Sequence, residues 1–248
     1  MFRKQIVIIT ALLVVIAILS VLFNFWKTYS LILGILIILA LILVLYLRRY
    51  PEHRLKSRLK QYHKSDNRNK IIMVGSSFFD LWKSAEDEFK PLDVINLGAG
   101  GSTIPFWVKH FETAIVPYSP KALIIYAGSN DFNSQKADEA VVFDTLKNLF
   151  AIIDRTVPGI PVTYVGICPT IVREASWPKI KRFNARAEEL CNELVNYRYI
   201  DSEKCILDSQ GRLRPDIYKN DKLHFNDKGN AAWGAGIIPP ITEFLREV

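Results

Sequence analysis

Two long uncharged apolar runs open the chain, and they limit what it can fold into more than any other feature. Ile6 to Phe23 holds 18 residues without a charge, and Leu31 to Leu47 holds 17. At about 1.5 Å per residue each extends roughly 26 Å as a helix, close to the ~30 Å hydrocarbon core of a bilayer. Phe25, Trp26 and Tyr29 lie between the runs, and Tyr46 and Tyr50 close the second, where membrane interfaces favour aromatic rings. The expectation is a transmembrane hairpin over residues 1–50, two helices joined by a tight turn. A cleaved signal peptide fits less well, because no A-x-A-like site ends the first run and a second run follows at once.

The net charge of +7 is unevenly distributed. Residues 1–70 carry 12 Lys and Arg against 2 Asp and Glu, whereas residues 71–248 carry 20 against 23. The basic excess therefore belongs to the membrane segment and its flank, and no nucleic-acid partner is expected. Arg3 and Lys4 precede the first run, Lys27 alone lies in the expected turn, and Arg48, Arg49, Arg54, Lys56, Arg58, Lys60 and Lys64 follow the second. The positive-inside rule then places both termini, and the remainder of the protein, in the cytoplasm at an inner or plasma membrane. Residues 51–69 read as a basic juxtamembrane linker, either lying on anionic headgroups or simply solvated.

From residue 70 to 248, short β-branched apolar runs alternate with amphipathic stretches, the pattern of a parallel sheet flanked by helices. Strands are expected at Ile71 to Val74, Leu92 to Asn96, Ala122 to Tyr126, Val162 to Ile167 and Tyr197 to Ile200. Helices are expected at Pro105 to Thr113, Ala137 to Arg155, Ile180 to Asn196 and Lys228 to Arg246, the last kinked or restarted by Pro239 and Pro240. Cys168, Cys191 and Cys205 have neither metal-ligand nor paired spacing and read as ordinary core or surface residues.

Ligands of an open parallel sheet bind beyond the carboxyl ends of its strands. Gly75-Ser76-Ser77 follows the first strand, Gly98 to Ser102 the second, Gly128 to Asp131 the third, and Asp221 to His224 precedes the last helix. Acyl transfer needs a nucleophile, a base, a group that orients the base, and donors for the oxyanion. Ser77 offers the nucleophile, its own amide a donor. His224 is the one histidine of four on this rim, because His53 and His63 lie in the basic stretch and His110 in a predicted helix. Asp221, three residues earlier, can accept from its ring in a turn. Gly101 and Asn130 are candidate oxyanion donors, although the glycines also suit a tight turn and Asn130 a helix cap. Trp82, Phe106 and Trp107 read as packing aromatics more than as a site lining.

These segments, in this order, resemble the SGNH or GDSL hydrolases over nearly all of residues 70–248. "IIMVGSSFFDLW" resembles the first family block with Ser77 at the nucleophile position. "VINLGAGGST" resembles the second with Gly101 as the oxyanion glycine, "IIYAGSND" the third with Asn130, and "NDKLHFNDKGNAAW" the fifth with Asp221 and His224. Ser76 stands where the family name has aspartate, a departure that bears on substrate class. The resemblance implies a flavodoxin-like three-layer α/β/α sandwich with a parallel five-stranded sheet. It also implies a serine esterase acting on a small-molecule, lipid or carbohydrate ester, with no metal and no organic cofactor. An O-acyltransferase using the same serine, or a non-catalytic membrane-tethered module, are the alternatives. No G-x-x-x-x-G-K-[ST], G-x-G-x-x-G or G-x-S-x-G occurs, which argues against nucleotide binding and the α/β-hydrolase fold.

Overall fold

The computed structural model describes residues 2–133 and 137–247. The side chains of Arg3, Lys4 and Arg48, which entered the orientation reading, lie outside the described residues. The chain divides into two compact units, Met1–Arg49 and Tyr50–Val248.

The first unit corrects the expected hairpin. Helix α1 runs unbroken from Phe2 to Gln61, so the two transmembrane helices are replaced by one apolar stretch, Leu12–Tyr46, whose side chains are exposed. The turn was expected from the polarity of residues 24–30, but that segment contains neither Gly nor Pro, the residues that interrupt a helix most strongly. Its polar and aromatic groups instead meet one turn apart. Thr28 Oγ1 donates to the Asn24 carbonyl at 3.0 Å, Phe25 and Tyr29 stack with centroids 6.5 Å apart, and Lys27 lies 4.6 Å over Phe23. Such i, i+4 contacts support helix continuation.

The second unit begins with the end of α1. Leu55 is buried in the domain core, and Leu59 and Tyr62 pack against the same cluster. The stretch read as a linker is thus helical as far as Gln61 and contributes to the core. Five strands follow: β1 (Ile71–Gly75), β2 (Val94–Asn96), β3 (Ala122–Tyr126), β4 (Val162–Val165) and β5 (Tyr197–Ile200). All pair in parallel in the order β2-β1-β3-β4-β5, the flavodoxin-like order, whose switch point lies between β1 and β3. Ile71 opposes Val94 on one side and Ala122 on the other, and Gly75 opposes Tyr126.

Short helices α2 (Ser77–Asp80) and α3 (Ala85–Glu88) come between β1 and β2, the first opening at Ser77 and the second not read from the sequence. The longer helices are α4 (Ile104–Ala114), α5 (Glu139–Thr156), α6 (Trp177–Glu193) and α7 (Asp227–Glu247). Strand alternation divides the core into two layers. Ile72, Val74, Leu123 and Ile125 face the cluster containing Trp107, Leu146 and Phe183, while Ile71, Met73, Ile124 and Tyr126 face Phe79, Trp82, Trp233 and Ile237. Burying each such side chain contributes about 1.5–3 kcal/mol.

Helix α7 runs through Pro239 and Pro240 and is not restarted there. Trp233, Ile237, Ile241 and Phe244 recur at helical spacing and are all buried, so packing of one face holds the segment in place where two backbone donors are missing. Cys168 and Cys191 are buried and Cys205 half-buried, all as free thiols, and burial pushes each thiol up, to about 12, 12 and 11 in turn.

Candidate active site

Strand β1 delivers Ser77. Gly75 ends the strand against β3 so closely that a Cβ there would stand 2.6 Å from the Tyr126 carbonyl oxygen. The Ser76 amide donates to that same oxygen at 3.2 Å, and the chain then turns at once into α2, whose first residue is Ser77. Asp80 N donates to Ser76 O at 3.0 Å and Leu81 N to Ser77 O at 2.9 Å, which closes this single turn. Ser76 itself is fully buried, its hydroxyl oxygen 3.3 Å from that of Ser129. The position named for aspartate in the family therefore holds one half of a hydroxyl pair.

His224 reaches Ser77 from the other end of the sequence. Its Nε2 lies 2.8 Å from Ser77 Oγ, and its Nδ1 lies 2.7 Å from Asp221 Oδ2. The turn that makes this possible is local. Asp221 Oδ1 accepts from the backbone amides of Leu223, at 3.0 Å, and His224, at 2.9 Å, while Lys222 takes the left-handed conformation with φ +54°. Partial burial pushes the Asp221 carboxyl up, but the bonds from the His224 ring and the two amides outweigh it and hold the group at about 2. The imidazole also packs beside Phe78, with ring centroids 6.0 Å apart, which restricts its tilt.

The expected oxyanion residues meet through Ser102. Asn130 Nδ2 donates to the Ser102 carbonyl at 2.9 Å, beside Gly101, which has φ +79°. Asn130 Oδ1 accepts from Arg173 Nη2 at 3.0 Å. A guanidinium has only donors, so this bond fixes which side of the amide carries the nitrogen, and that nitrogen keeps a second hydrogen for a ligand. Ser102 Oγ in turn donates to the Gly75 carbonyl at 3.1 Å and accepts from Trp107 Nε1 at 3.0 Å. Trp82 and Trp107 are buried packing residues and Phe106 is half-buried.

Sequence reasoning missed Arg173, which is buried and joins Asn130 to Asn133, and Asp80, whose carboxylate meets Arg54, Arg58 and the Gly100 amide. The i, i+4 spacing of Arg54 and Arg58 was the one available signal, since it puts both on a common helix face. Asp131, next to Asn130, accepts from Ile104 N at the start of α4, and burial pushes its carboxyl up to about 7. Among the described residues, no three His, Cys, Asp or Glu side chains gather to hold a metal ion. A cavity of about 480 Å³ lined by Thr170, Ile171, Trp177, Leu207 and Leu213 includes none of Ser77, Asp221 and His224 in its walls.

The chain is similar in fold to several solved structures. A protein from Streptococcus pneumoniae proposed to be a platelet activating factor superposes with a TM-score of 0.72 at 18% identity, over 84% of this chain and 98% of that one. A protein from Bacteroides fragilis proposed to be an acylhydrolase gives 0.64 at 21% identity, over 77% and 97%. A GDSL-like lipase from Bacteroides thetaiotaomicron gives 0.60 at 19% identity, over 82% and 98%. At these identities the likeness speaks for the fold. No curated protein matches the sequence. The GDSL-like Lipase/Acylhydrolase family, however, matches residues 77–232, a span that begins at Ser77 and includes Gly101, Asn130, Asp221 and His224. Because that match covers more than half of a parallel five-stranded α/β chain, the protein belongs to the GDSL-like lipase/acylhydrolase family and is an ester-hydrolysing serine hydrolase.

Proposed function

We propose that the protein is a membrane-anchored esterase working through Ser77, His224 and Asp221. The observation that carries this reading is the unbroken chain of hydrogen bonds from Ser77 Oγ through the imidazole to Asp221. Ser77 Oγ attacks the ester carbonyl carbon while His224 Nε2 takes its proton. Asp221, ionised at neutral pH, holds Nδ1–H and stabilises the imidazolium. The carbonyl oxygen becomes an anion, received by the N–H groups of Ser77 and Gly101 and by Asn130 Nδ2. Collapse expels the alcohol, which takes the proton from His224. Water then gives its proton to the same nitrogen as it attacks the acyl-serine, and the carboxylic acid leaves with Ser77 restored.

Turnover of p-nitrophenyl butyrate is expected to fall about 10,000-fold or more in Ser77→Ala and in His224→Ala, with the circular dichroism spectrum unchanged. A fluorophosphonate should label Ser77 in the wild type and leave both variants unlabelled. Retention of full turnover by Ser77→Ala would remove the proposed chemistry.

Membrane attachment rests on the 35-residue apolar stretch Leu12–Tyr46. The larger number of Lys and Arg on its C-terminal side favours a cytoplasmic catalytic domain. Fractionation should find the full chain in carbonate-washed membranes and a chain lacking residues 1–47 in the supernatant. Protease added to sealed cells should spare the domain and in inverted vesicles should digest it.

A further inference from the structure

The basic stretch after the apolar helix does something that neither a solvated linker nor a headgroup contact requires. Arg54 grips Asp80 with two parallel bonds, Nε to Oδ2 at 2.8 Å and Nη2 to Oδ1 at 2.6 Å. Arg58 Nη2 donates to the Asp80 carbonyl at 2.8 Å and stands 3.3 Å from Oδ1. The Asp80 side chain is 1% exposed, and its Oδ2 also accepts from the backbone amide of Gly100 at 3.2 Å. Asp80 is the last residue of the single turn that Ser77 opens, and Gly100 immediately precedes Gly101. One carboxylate thus ties three pieces together: the nucleophile's turn, the glycine loop, and the end of α1.

The ring of Tyr50 closes over that loop. A Cβ on Gly100 would stand 3.1 Å from the Tyr50 ring and 2.8 Å from Asp80 Oδ2, and one on Gly101 would stand 3.5 Å from Pro51. Glycine permits the close approach, and it also leaves the peptide planes of residues 99–101 free to rotate unless something holds them. Ala99 N donates to the Gly75 carbonyl at 2.8 Å and Ser102 N to the Ala99 carbonyl at 3.0 Å, and between them the Asp80 carboxylate holds the Gly100 N–H. Its own orientation depends on the two guanidinium groups, whose fork geometry sets direction as well as charge.

We propose that residues 50–58 are a positioning element of the ester-hydrolysing site, with Arg54 and Arg58 acting through Asp80 to fix the Ala99–Gly100 peptide, the one that precedes the Gly101 N–H, beside the turn of Ser77. This rests on the hydrolase reading above. Neither arginine touches the reacting atoms; both act through the peptide that precedes the Gly101 N–H. Their loss is therefore felt in the chemical step more than in substrate binding.

The test uses the full chain in detergent micelles, with p-nitrophenyl butyrate as substrate and kcat expressed per fluorophosphonate-titrated site. Arg54 is 36% exposed at its side chain, so Arg54→Ala leaves no large cavity. Arg54→Ala should lower kcat about 10- to 100-fold, the scale expected of a small misplacement, and leave KM within about twofold. Arg54→Lys, which keeps the charge and loses the fork, should fall between Ala and wild type. Guanidinium chloride at millimolar concentration should restore part of the Ala variant's kcat and leave the wild type unchanged. A wild-type kcat in Arg54→Ala, whether or not its melting temperature falls, would overturn the proposal, as would a rise in KM alone. If the wild type shows no more turnover than Ser77→Ala, the hydrolase reading itself fails and this proposal falls with it.

Discussion

Asp221 and Asp80 are both carboxylates bonded close to Ser77, yet they are built in opposite ways. Asp221 is 48% exposed at its side chain and takes all its partners from the next three residues. Asp80 is buried, and its charged partners come from 22 and 26 residues away. The first is a local turn that needs no partner from elsewhere in the chain. The second sits where water cannot compensate for a lost partner. In the proposed mechanism the carboxylate next to the imidazole is thus the exposed, locally built one, and the buried one lies a step behind it.

The largest effect that separates the two is on rate. Asp221→Asn should lower kcat about 1,000- to 10,000-fold by favouring the wrong imidazole tautomer, with a melting temperature close to wild type. Asp80→Ala should show the reverse balance, losing about 3–5 kcal/mol of stability because two guanidinium groups are left facing an empty buried site. Chemical denaturation read by tryptophan fluorescence measures this. If Asp80→Ala unfolds no more easily than Asp221→Asn, the contrast drawn between them does not hold.

Asp131 provides a third carboxylate between these extremes, and its signature is in pH. Its folded form holds a proton up to about pH 7, whereas an unfolded aspartate releases it near 4. The folded state therefore binds more protons across that window, and the contribution of this group to stability falls as pH rises from about 4 to about 7. Asp131→Asn should flatten that decline, visible as a smaller difference in melting temperature between pH 5 and pH 8. Smallest of all is Lys222→Gly. It relieves a left-handed backbone at φ +54° for a gain of at most about 1 kcal/mol, with turnover retained. A loss of activity there would mean that the Asp221–His224 turn needs its lysine.

The same division explains what the sequence revealed. The five strands were legible as short runs rich in apolar, aromatic and β-branched residues, and Ala122–Tyr126 and Tyr197–Ile200 match residue for residue. Ser77, Gly101, Asn130, Asp221 and His224, the residues of the proposed site, stood out because each follows a strand or precedes the last helix, where chemistry is expected. Arg173 and Asp80 left no such trace, and Arg54 and Arg58 only their i, i+4 spacing. Their partners at the site lie 20 to 43 residues away, and a pairing over that distance imposes no local pattern. The hairpin failed for a related reason. A lysine and a threonine between two apolar runs look like a turn, but their side chains found i−4 partners and the helix continued.

The hydroxyl pair of Ser76 and Ser129 has an electrostatic corollary. An aspartate in that fully enclosed position would place a formal anion one residue from the attacking oxygen, where a nearby like charge disfavours a second. Two alcohols exert no such field at any pH.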